Sequence, residues 1–228
     1  MKGKNKDVAS NDLGYEIEEG LNETVTRLIE EYDSHPDDRR KWLELLRALP
    51  LSRLLDSARV QAFVRTFSYA RKRWPNEKVV VFSIFLKFLD IVAAVLRHQF
   101  GVNALRLDGT MTSSQKEKAQ EMFSTGMSSE PLLITTGAGS VGLNLQRGSI
   151  IIQTEIWWNK NCERQAYARC FRQGQEKELK VLVLIAENSK IDLEIEKCRD
   201  RKVVTNTELI GPLLREFDAP LMIPPLDV

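Results

Sequence analysis

The chain has 228 residues, 43% of them hydrophobic, and a formal net charge of +1 at pH 7. This composition supports a buried core and excludes global disorder, while the near-neutral charge excludes an overall attraction to nucleic acid or anionic membranes. Three cysteines without a CxxC pair predict an intracellular protein with no disulfide framework, and two distant histidines argue against a zinc site. No apolar run reaches the roughly 20 residues that span a bilayer.

The first part of the chain is predicted to be helical after a loose tail. Residues 1–20 are charged and weakly patterned, and 22–32 fit a short helix. The His-Pro-Asp-Asp stretch at 35–38 predicts a break. Helices are then expected at 41–49 and 57–73, the second because its apolar residues recur on one helical face.

From residue 78 onward, the pattern changes to strands alternating with helices. Strands are predicted at 78–83, 103–108, 132–136, 149–154 and 180–186, and helices at 86–100, 113–123, 164–172 and 189–202. This alternation predicts an α/β fold with a parallel sheet covered by helices on both faces. The expected organisation is a tail with a short helix over 1–36, a helical lead-in over 37–77, an α/β domain over 78–205 and an extension over 206–228.

A glycine-rich loop over 137–142 matches the GxGxxG pattern of dinucleotide-binding folds. In those folds the last glycine opens a full crossover helix, whereas only 143–148 separate Gly142 from the next strand. The dinucleotide interpretation is therefore disfavoured. Two others stay open for the loop taken alone: a plain connection, or backbone amides exposed beside a phosphate, with Thr135 and Thr136 as hydroxyl donors.

Gln165, Arg169 and Arg172 are spaced i, i+4, i+7, which places them on one face of the helix predicted over 164–172. Guanidinium groups bind phosphate oxygens in bidentate fashion and stay charged at any relevant pH. In phosphoryl transfer, arginines supplied by a second domain stabilise the charge that develops on the transferred group. The spacing alone favours a solvated basic helix, so the flanking sequence has to decide.

Taken together, these stretches resemble the motifs of the C-terminal motor lobe of Swi/Snf-type ATPases, within helicase superfamily two. The matching stretches are 79–83 with its following helix, Leu-Arg-Leu-Asp-Gly at 105–109, the loop at 133–145, Trp-Trp-Asn at 157–159, and Gln-Ala through Gly-Gln at 165–175. Ser-Ala-Arg-Val at 57–60 is similar to the lead-in before such a lobe. Each stretch is weak alone, and their order and spacing carry the resemblance.

On the nucleotide side, the resemblance implies a RecA-like lobe that forms half of an ATP-driven motor. Arg169 and Arg172 would be arginine fingers that face the γ-phosphate of ATP. Gln165 would hold their helix in the cleft between two lobes. The residues implied to shape the loop that couples nucleotide to DNA are Gly139, Gly142 and Asn144.

On the nucleic-acid side, the resemblance implies contacts with the phosphate backbone of double-stranded DNA. Ser83, Arg106 and Thr135 would lie near that backbone. Trp157 and Trp158 would support the loop that faces the DNA. A tryptophan pair is also a common core feature, and a serine can simply end a strand, so structural roles stay open for these residues.

The chain lacks several parts that such a motor needs. It contains neither the GxxxxGK[ST] phosphate loop nor the Asp-Glu box whose carboxylates bind Mg²⁺. ATP and Mg²⁺ would therefore be bound mainly by a first lobe, and the chain alone is expected to show no ATPase activity. Within the arginine motif, Ala168 stands where the family has an acid, and Glu155 replaces an aspartate before the tryptophan pair.

The expected function is that of the second lobe of a nuclear double-stranded-DNA translocase that works in chromatin remodelling or DNA repair. Its partners would be the first lobe and DNA or a nucleosome, with no membrane. A strand-separating or RNA-directed helicase is a second interpretation, against which the Trp-Trp-Asn stretch argues. A non-catalytic DNA- or protein-binding module is a third, since Ala168 weakens the arginine motif.

Overall fold

The computed structural model describes residues 36–126, 130–137, 143–186 and 189–201. The predicted tail, the helix predicted at 22–32 and the C-terminal extension lie outside these residues. The helical lead-in contains α1 (Pro36–Ala48), α2 (Leu51–Leu54) and α3 (Ala58–Arg73). α1 begins at Pro36, inside the stretch predicted to be a break. A proline is tolerated at the first helical position, because its missing amide hydrogen would have no helical partner there.

Strands and helices alternate after the lead-in, as the sequence predicted. They are β1 (Lys78–Ser83), α4 (Leu86–Phe100), β2 (Leu105–Leu107), α5 (Ser113–Thr125), β3 (Leu132–Thr135), β4 (Gly148–Gln153), α6 (Lys160–Tyr167) and β5 (Lys180–Val183). A last helix, α7, covers 190–201 within the described residues. β2 and β5 are shorter than predicted, and α6 lies earlier in the chain than predicted. Within the described residues, no helix is long and apolar enough to cross a bilayer.

The five strands form one parallel sheet in the order β2-β3-β1-β4-β5. β1 lies at the centre, where Ser83 is paired with Thr135 of β3 and Phe82 with Gln153 of β4. All strands point the same way, so the ends of β1, β3 and β4 meet at one edge of the sheet. The predicted α/β fold with a parallel sheet is confirmed.

Helices cover both faces of the sheet. Successive side chains of a strand point to opposite faces, so the apolar residues of β1 need a helix on each side. Val79 and Val81 of β1 pack with α3 and α4, whereas Val80 and Phe82 pack with α5 and with the buried Cys170 after α6. We call the side of the sheet that carries Val79 and Val81 the α4 face, and the side that carries Val80 and Phe82 the α6 face. Residues 79–82 of β1 are therefore buried on both faces of the sheet. This burial explains why the strand is a continuous run of β-branched and aromatic residues.

Local signals set the helix ends that the sequence located correctly. α4 ends at Gly101, whose φ of 64° is the left-handed conformation that glycine adopts without steric cost. α5 begins after Thr112, whose hydroxyl accepts a hydrogen bond from the amide of Gln115 while the Gln115 side chain accepts one from the Thr112 amide. This reciprocal pair satisfies two amides that the helix leaves without partners.

Candidate nucleotide-facing site

The helix that carries the predicted arginine row both begins and ends earlier than the sequence predicted. The Asn159 side chain caps α6 by accepting a hydrogen bond from the amide of Asn161 at 2.9 Å. At its other end, the amides of Arg169 and Cys170 donate to carbonyls three residues back, so the last turn tightens. Arg169 and Arg172 therefore follow the helix, and the prediction that they share one helical face with Gln165 is wrong.

Two contacts explain why the helix stops. The amide of Leu145 donates to the Arg169 carbonyl at 3.0 Å, which a continuing α-helix would direct to the amide of Gln173. Cys170 is fully buried on the α6 face, and burial raises the pKa of its thiol to about 12. The segment that carries the arginines is thus held by the body of the lobe instead of by helical hydrogen bonds.

We call residues 168–175 the finger segment. Arg169 is half-buried, and Arg172 is exposed, as is Gln165 on α6. Among the residues that the structure describes, neither guanidinium has a carboxylate partner. Two fixed cations without an acid beside them form a surface to which a phosphate group can bind.

The loop before β4 lies directly against the finger segment. The side-chain amide of Gln175 donates to the carbonyl of Gln146 at 2.6 Å and to that of Gly148 at 3.1 Å. The side-chain amide of Gln146 in turn donates to the carbonyl of Gln173. Asn144 is exposed in the same loop and its side chain accepts a hydrogen bond from the Gln146 amide at 3.2 Å. Asn144 and the finger segment are therefore connected through Gln146, whereas Gly139 and Gly142 lie outside the described residues.

A buried carboxylate, Glu155, organises the edge of the sheet where the strands end. It accepts hydrogen bonds from the Ser83 hydroxyl at 2.9 Å, the Ile84 amide at 2.7 Å and the indole of Trp157 at 3.1 Å. The Thr154 hydroxyl is a fourth donor. Burial raises the pKa of Glu155, and these hydrogen bonds offset part of that rise. The side chain joins the end of β1 to the turn after β4.

The predicted DNA-side residues Ser83, Thr135 and Trp157 come together at this edge, and all three are buried. Ser83 is fully buried and Thr135 is 9% exposed. Trp157 packs edge-on against Phe82, with 5.9 Å between ring centroids, and Trp158 beside it is half-buried. These residues hold the strand ends in place, and the burial of Trp157 fits the core role that the sequence leaves open for it.

Arg106 lies on the α4 face of the sheet. Its guanidinium donates to Asp90 of α4 at 2.6 Å and to Asp108 at 3.1 Å. Asp90 also accepts two hydrogen bonds from Arg39 and one from the indole of Trp42. Cys170 and the finger segment pack on the α6 face, so the structure does not bring Arg106 together with Arg169 and Arg172.

Several of these supporting residues are not predicted by the sequence. The sequence assigns Glu155 no structural role, although an acid at the end of a buried strand is a signal in its own right. Glu163 of α6 is similar: it is buried, accepts hydrogen bonds from Gln153 and the Trp157 amide, and pairs with Arg199 of α7. The partners of such acids are far apart in sequence, and no periodic pattern identifies them.

Comparisons with known proteins place this geometry in a family. Residues 58–174 match the family described as helicase conserved C-terminal domain, which is more than half of the chain. The chain belongs to this family. DNA repair protein RAD5 of Cryptococcus neoformans is 36% identical over 68% of this chain and 13% of its own length. The ATP-dependent helicase rhp16 of Schizosaccharomyces pombe is 31% identical over 73% of this chain and 19% of its own length.

Solved structures support the same assignment. The C-terminal part of the Fun30 ATPase domain has a TM-score of 0.59 and 28% identity, covering 64% of this chain and 46% of that one. The Sulfolobus solfataricus SWI2/SNF2 ATPase core domain has a TM-score of 0.57 and 18% identity over 69% of this chain and 31% of that one, which supports the fold alone. The predicted resemblance to a Swi/Snf-type, RecA-like lobe is confirmed. The chain spans less than a fifth of the length of the two curated relatives above.

Proposed function

We propose that this chain is the second motor lobe of an ATP-dependent double-stranded-DNA translocase of the chromatin-remodelling or DNA-repair type. The observation that carries the proposal is the pair Arg169 and Arg172, held on a segment outside the helix and without an acidic partner among the described residues. Family membership adds that such a lobe belongs to a helicase. We assign the protein to the nucleus, because a DNA or nucleosome substrate is found there.

The chemistry fits a lobe that completes a nucleotide site instead of forming one. The two guanidiniums would contact the γ-phosphate of ATP and stabilise the negative charge that develops during phosphoryl transfer. Gln165 would contact the same cleft from α6. Mg²⁺, when bound with ATP, neutralises phosphate charge, but the described residues contain no group of three or more side chains suited to hold a metal. We therefore assign Mg²⁺ and most of the ATP contacts to a first lobe.

The DNA contacts are proposed for the edge of the sheet where β1 and β3 end and for the loop that contains Asn144. Ser83, Thr135 and Trp157 would act there by holding the edge in shape. Phe85 lies two residues after Ser83 and is 44% exposed, so the segment after β1 presents its surface to a partner. Contacts to the DNA backbone are largely independent of sequence, and binding through them weakens as salt rises.

A second candidate function is a non-catalytic DNA- or protein-binding module that derives from such a lobe. Ala168 favours it, because this residue ends α6 directly before Arg169 and has no acidic group that could orient a guanidinium. The two functions differ in one measurable respect. A module binds its partner whether or not the arginines are present, whereas a motor lobe loses turnover when they are removed.

The test is to add an intact first motor lobe in trans, with double-stranded DNA and ATP, and to measure phosphate release. We expect no turnover from the chain alone, DNA-stimulated turnover from the mixture, and a loss of about 10³-fold on Arg172→Ala. Arg164→Ala removes the same charge from an exposed position on α6 and serves as the matched control, with a change of no more than a few-fold. Turnover that survives Arg172→Ala would support the module.

A further inference from the structure

The hydrogen bonds between the loop before β4 and the finger segment are concentrated at two glutamine side chains. Gln175 donates through its side-chain amide to the carbonyls of Gln146, Gly148 and Cys170, at 2.6, 3.1 and 3.3 Å. Its side-chain oxygen accepts a hydrogen bond from the Lys177 amide at 3.1 Å. The half-buried side chain of Gln175 thus joins the loop, the first residue of β4 and the buried Cys170 of the finger segment.

A tight turn connects this anchor to Arg172. The Gln175 amide donates to the Arg172 carbonyl at 2.9 Å, so Arg172 and Gln175 are the first and last residues of a β-turn. Gly174, the third residue, has a φ of 98°, which suits the glycine-requiring position of a type II turn. Because a four-residue turn has little freedom, fixing Gln175 also fixes the backbone of Arg172.

Gln146 completes the connection from the loop side. Its side-chain amide donates to the carbonyl of Gln173, the second residue of the turn. Its side-chain oxygen and backbone amide are both hydrogen-bonded to the Asn144 side chain, at 3.3 and 3.2 Å. The exposed loop residue Asn144 is therefore linked to the turn of Arg172 through one intervening side chain.

We propose that Gln146 and Gln175 are positioning residues, which set the place of Arg172 and couple it to the loop that contains Asn144. The inference rests on the proposed function, because it presumes that Arg169 and Arg172 act on ATP. Arg169 is held by Leu145 through its own carbonyl and by the buried Cys170 beside it. Arg172 lies beyond that anchor, so the two glutamines hold mainly the second finger.

The test compares two Gln→Glu variants that add the same charge two residues apart. Gln175→Glu replaces the donating amide with a carboxylate that faces three carbonyls. Gln173→Glu is the control, because this exposed residue takes part in hydrogen bonds among the described residues only through its backbone carbonyl. Gln146→Ala removes the connection from the other side.

The first readout is hydrogen–deuterium exchange of the chain by itself, in peptides that cover 143–148 and 168–177. We expect Gln175→Glu to increase exchange in both peptides at least tenfold more than Gln173→Glu does, and peptides of β1 and α4 to stay unchanged. Equal protection in the two variants overturns the proposal. This readout does not depend on ATPase activity, so it also decides the structural claim if the proposed function is wrong.

The second readout is DNA-stimulated ATPase activity with the first lobe added in trans. Misplacing a finger affects the transition state, so we expect kcat to fall roughly 10- to 100-fold in Gln175→Glu relative to Gln173→Glu, while KM for ATP stays within about twofold. Gln146→Ala should weaken the stimulation by DNA more than the basal rate. If Arg172→Ala lowers turnover but Gln175→Glu does not, the positioning role is refuted; if neither does, the proposed function fails.

Discussion

Replacing Asp90 with alanine should destabilise the lobe more than replacing any exposed acidic residue with alanine. The Asp90 side chain is fully buried between α1, α4 and β2, and it is the shared partner of Arg39 and Arg106. It accepts hydrogen bonds from Arg39 at 2.9 and 3.0 Å, from Arg106 at 2.6 Å and from the Trp42 indole at 3.0 Å. The substitution leaves two guanidiniums and an indole without their acceptor.

The loss of stability depends on how far the side chains that lose Asp90 as a partner can be hydrated. Removing one partner of a buried ion pair costs about 3–5 kcal/mol, because the remaining charge is left uncompensated. The Arg39 and Arg106 side chains are 18% and 22% exposed, so they recover part of their hydration. We therefore expect Asp90→Ala to lower the free energy of unfolding by about 3 kcal/mol, or the Tm by roughly 6–12 °C for a chain of this size.

The assay is urea unfolding, followed by tryptophan fluorescence and by circular dichroism. Asp56→Ala is the matched control, since Asp56 pairs with Arg53 at 3.7 Å and both side chains are more than two-thirds exposed; it should cost at most about 0.5 kcal/mol. A double-mutant cycle of Asp90→Ala with Arg39→Ala should give a coupling free energy above about 1 kcal/mol. A loss of unfolding free energy in Asp90→Ala no larger than the loss in Asp56→Ala would refute the predicted role of Asp90.

Two further predictions concern the supporting residues. The pKa of Glu155 is raised in the folded state above its ordinary value of 4.5, so the protein binds this proton more tightly when folded and its stability falls as pH rises from 4.5 through the raised pKa. Glu155→Gln removes this dependence, and wild-type stability relative to the variant should fall by about 1.4 kcal/mol per pH unit within that window in unfolding experiments; parallel pH profiles would contradict the assignment. Gly174→Ala should lower the free energy of unfolding by about 1–2 kcal/mol, because a φ of 98° is unfavourable for alanine although the added Cβ has room. Gly109→Ala is the control and should leave the stability unchanged. Equal melting temperatures of the two variants would show that the turn is not constrained.

The fold could be predicted where the information is local. β1 and α4 have the predicted bounds because an apolar run and a C-terminal glycine define them without help from the rest of the chain. α6 was misplaced because its end depends on the Leu145 amide, which takes the Arg169 carbonyl from another part of the structure. No spacing rule within 164–172 contains that information.

The candidate site was predictable to a similar degree. The order of the motifs makes Arg169 and Arg172 the candidate site residues, whereas a helical spacing argument alone would assign them to a solvated surface. The acids that support the site, Glu155 and Glu163, were not located, because donors such as Ser83 and Arg199 come from segments that are distant in sequence. A buried acid needs several such donors, and only the folded chain shows where they are.

The central position of β1 has a consequence for how the chain is made. Val80 pairs with Leu132 and Ile151, so β1 leaves the ribosome roughly 50 and 70 residues before its two neighbours, a delay of several seconds at 5–20 residues per second. During that time the uncharged run 79–82 is a template for pairing with other chains. α4 follows β1 directly and packs on its Val79 and Val81 side, so early docking of this helix covers one face. The other face waits for α5 and Cys170, which makes it the aggregation hazard of the nascent lobe.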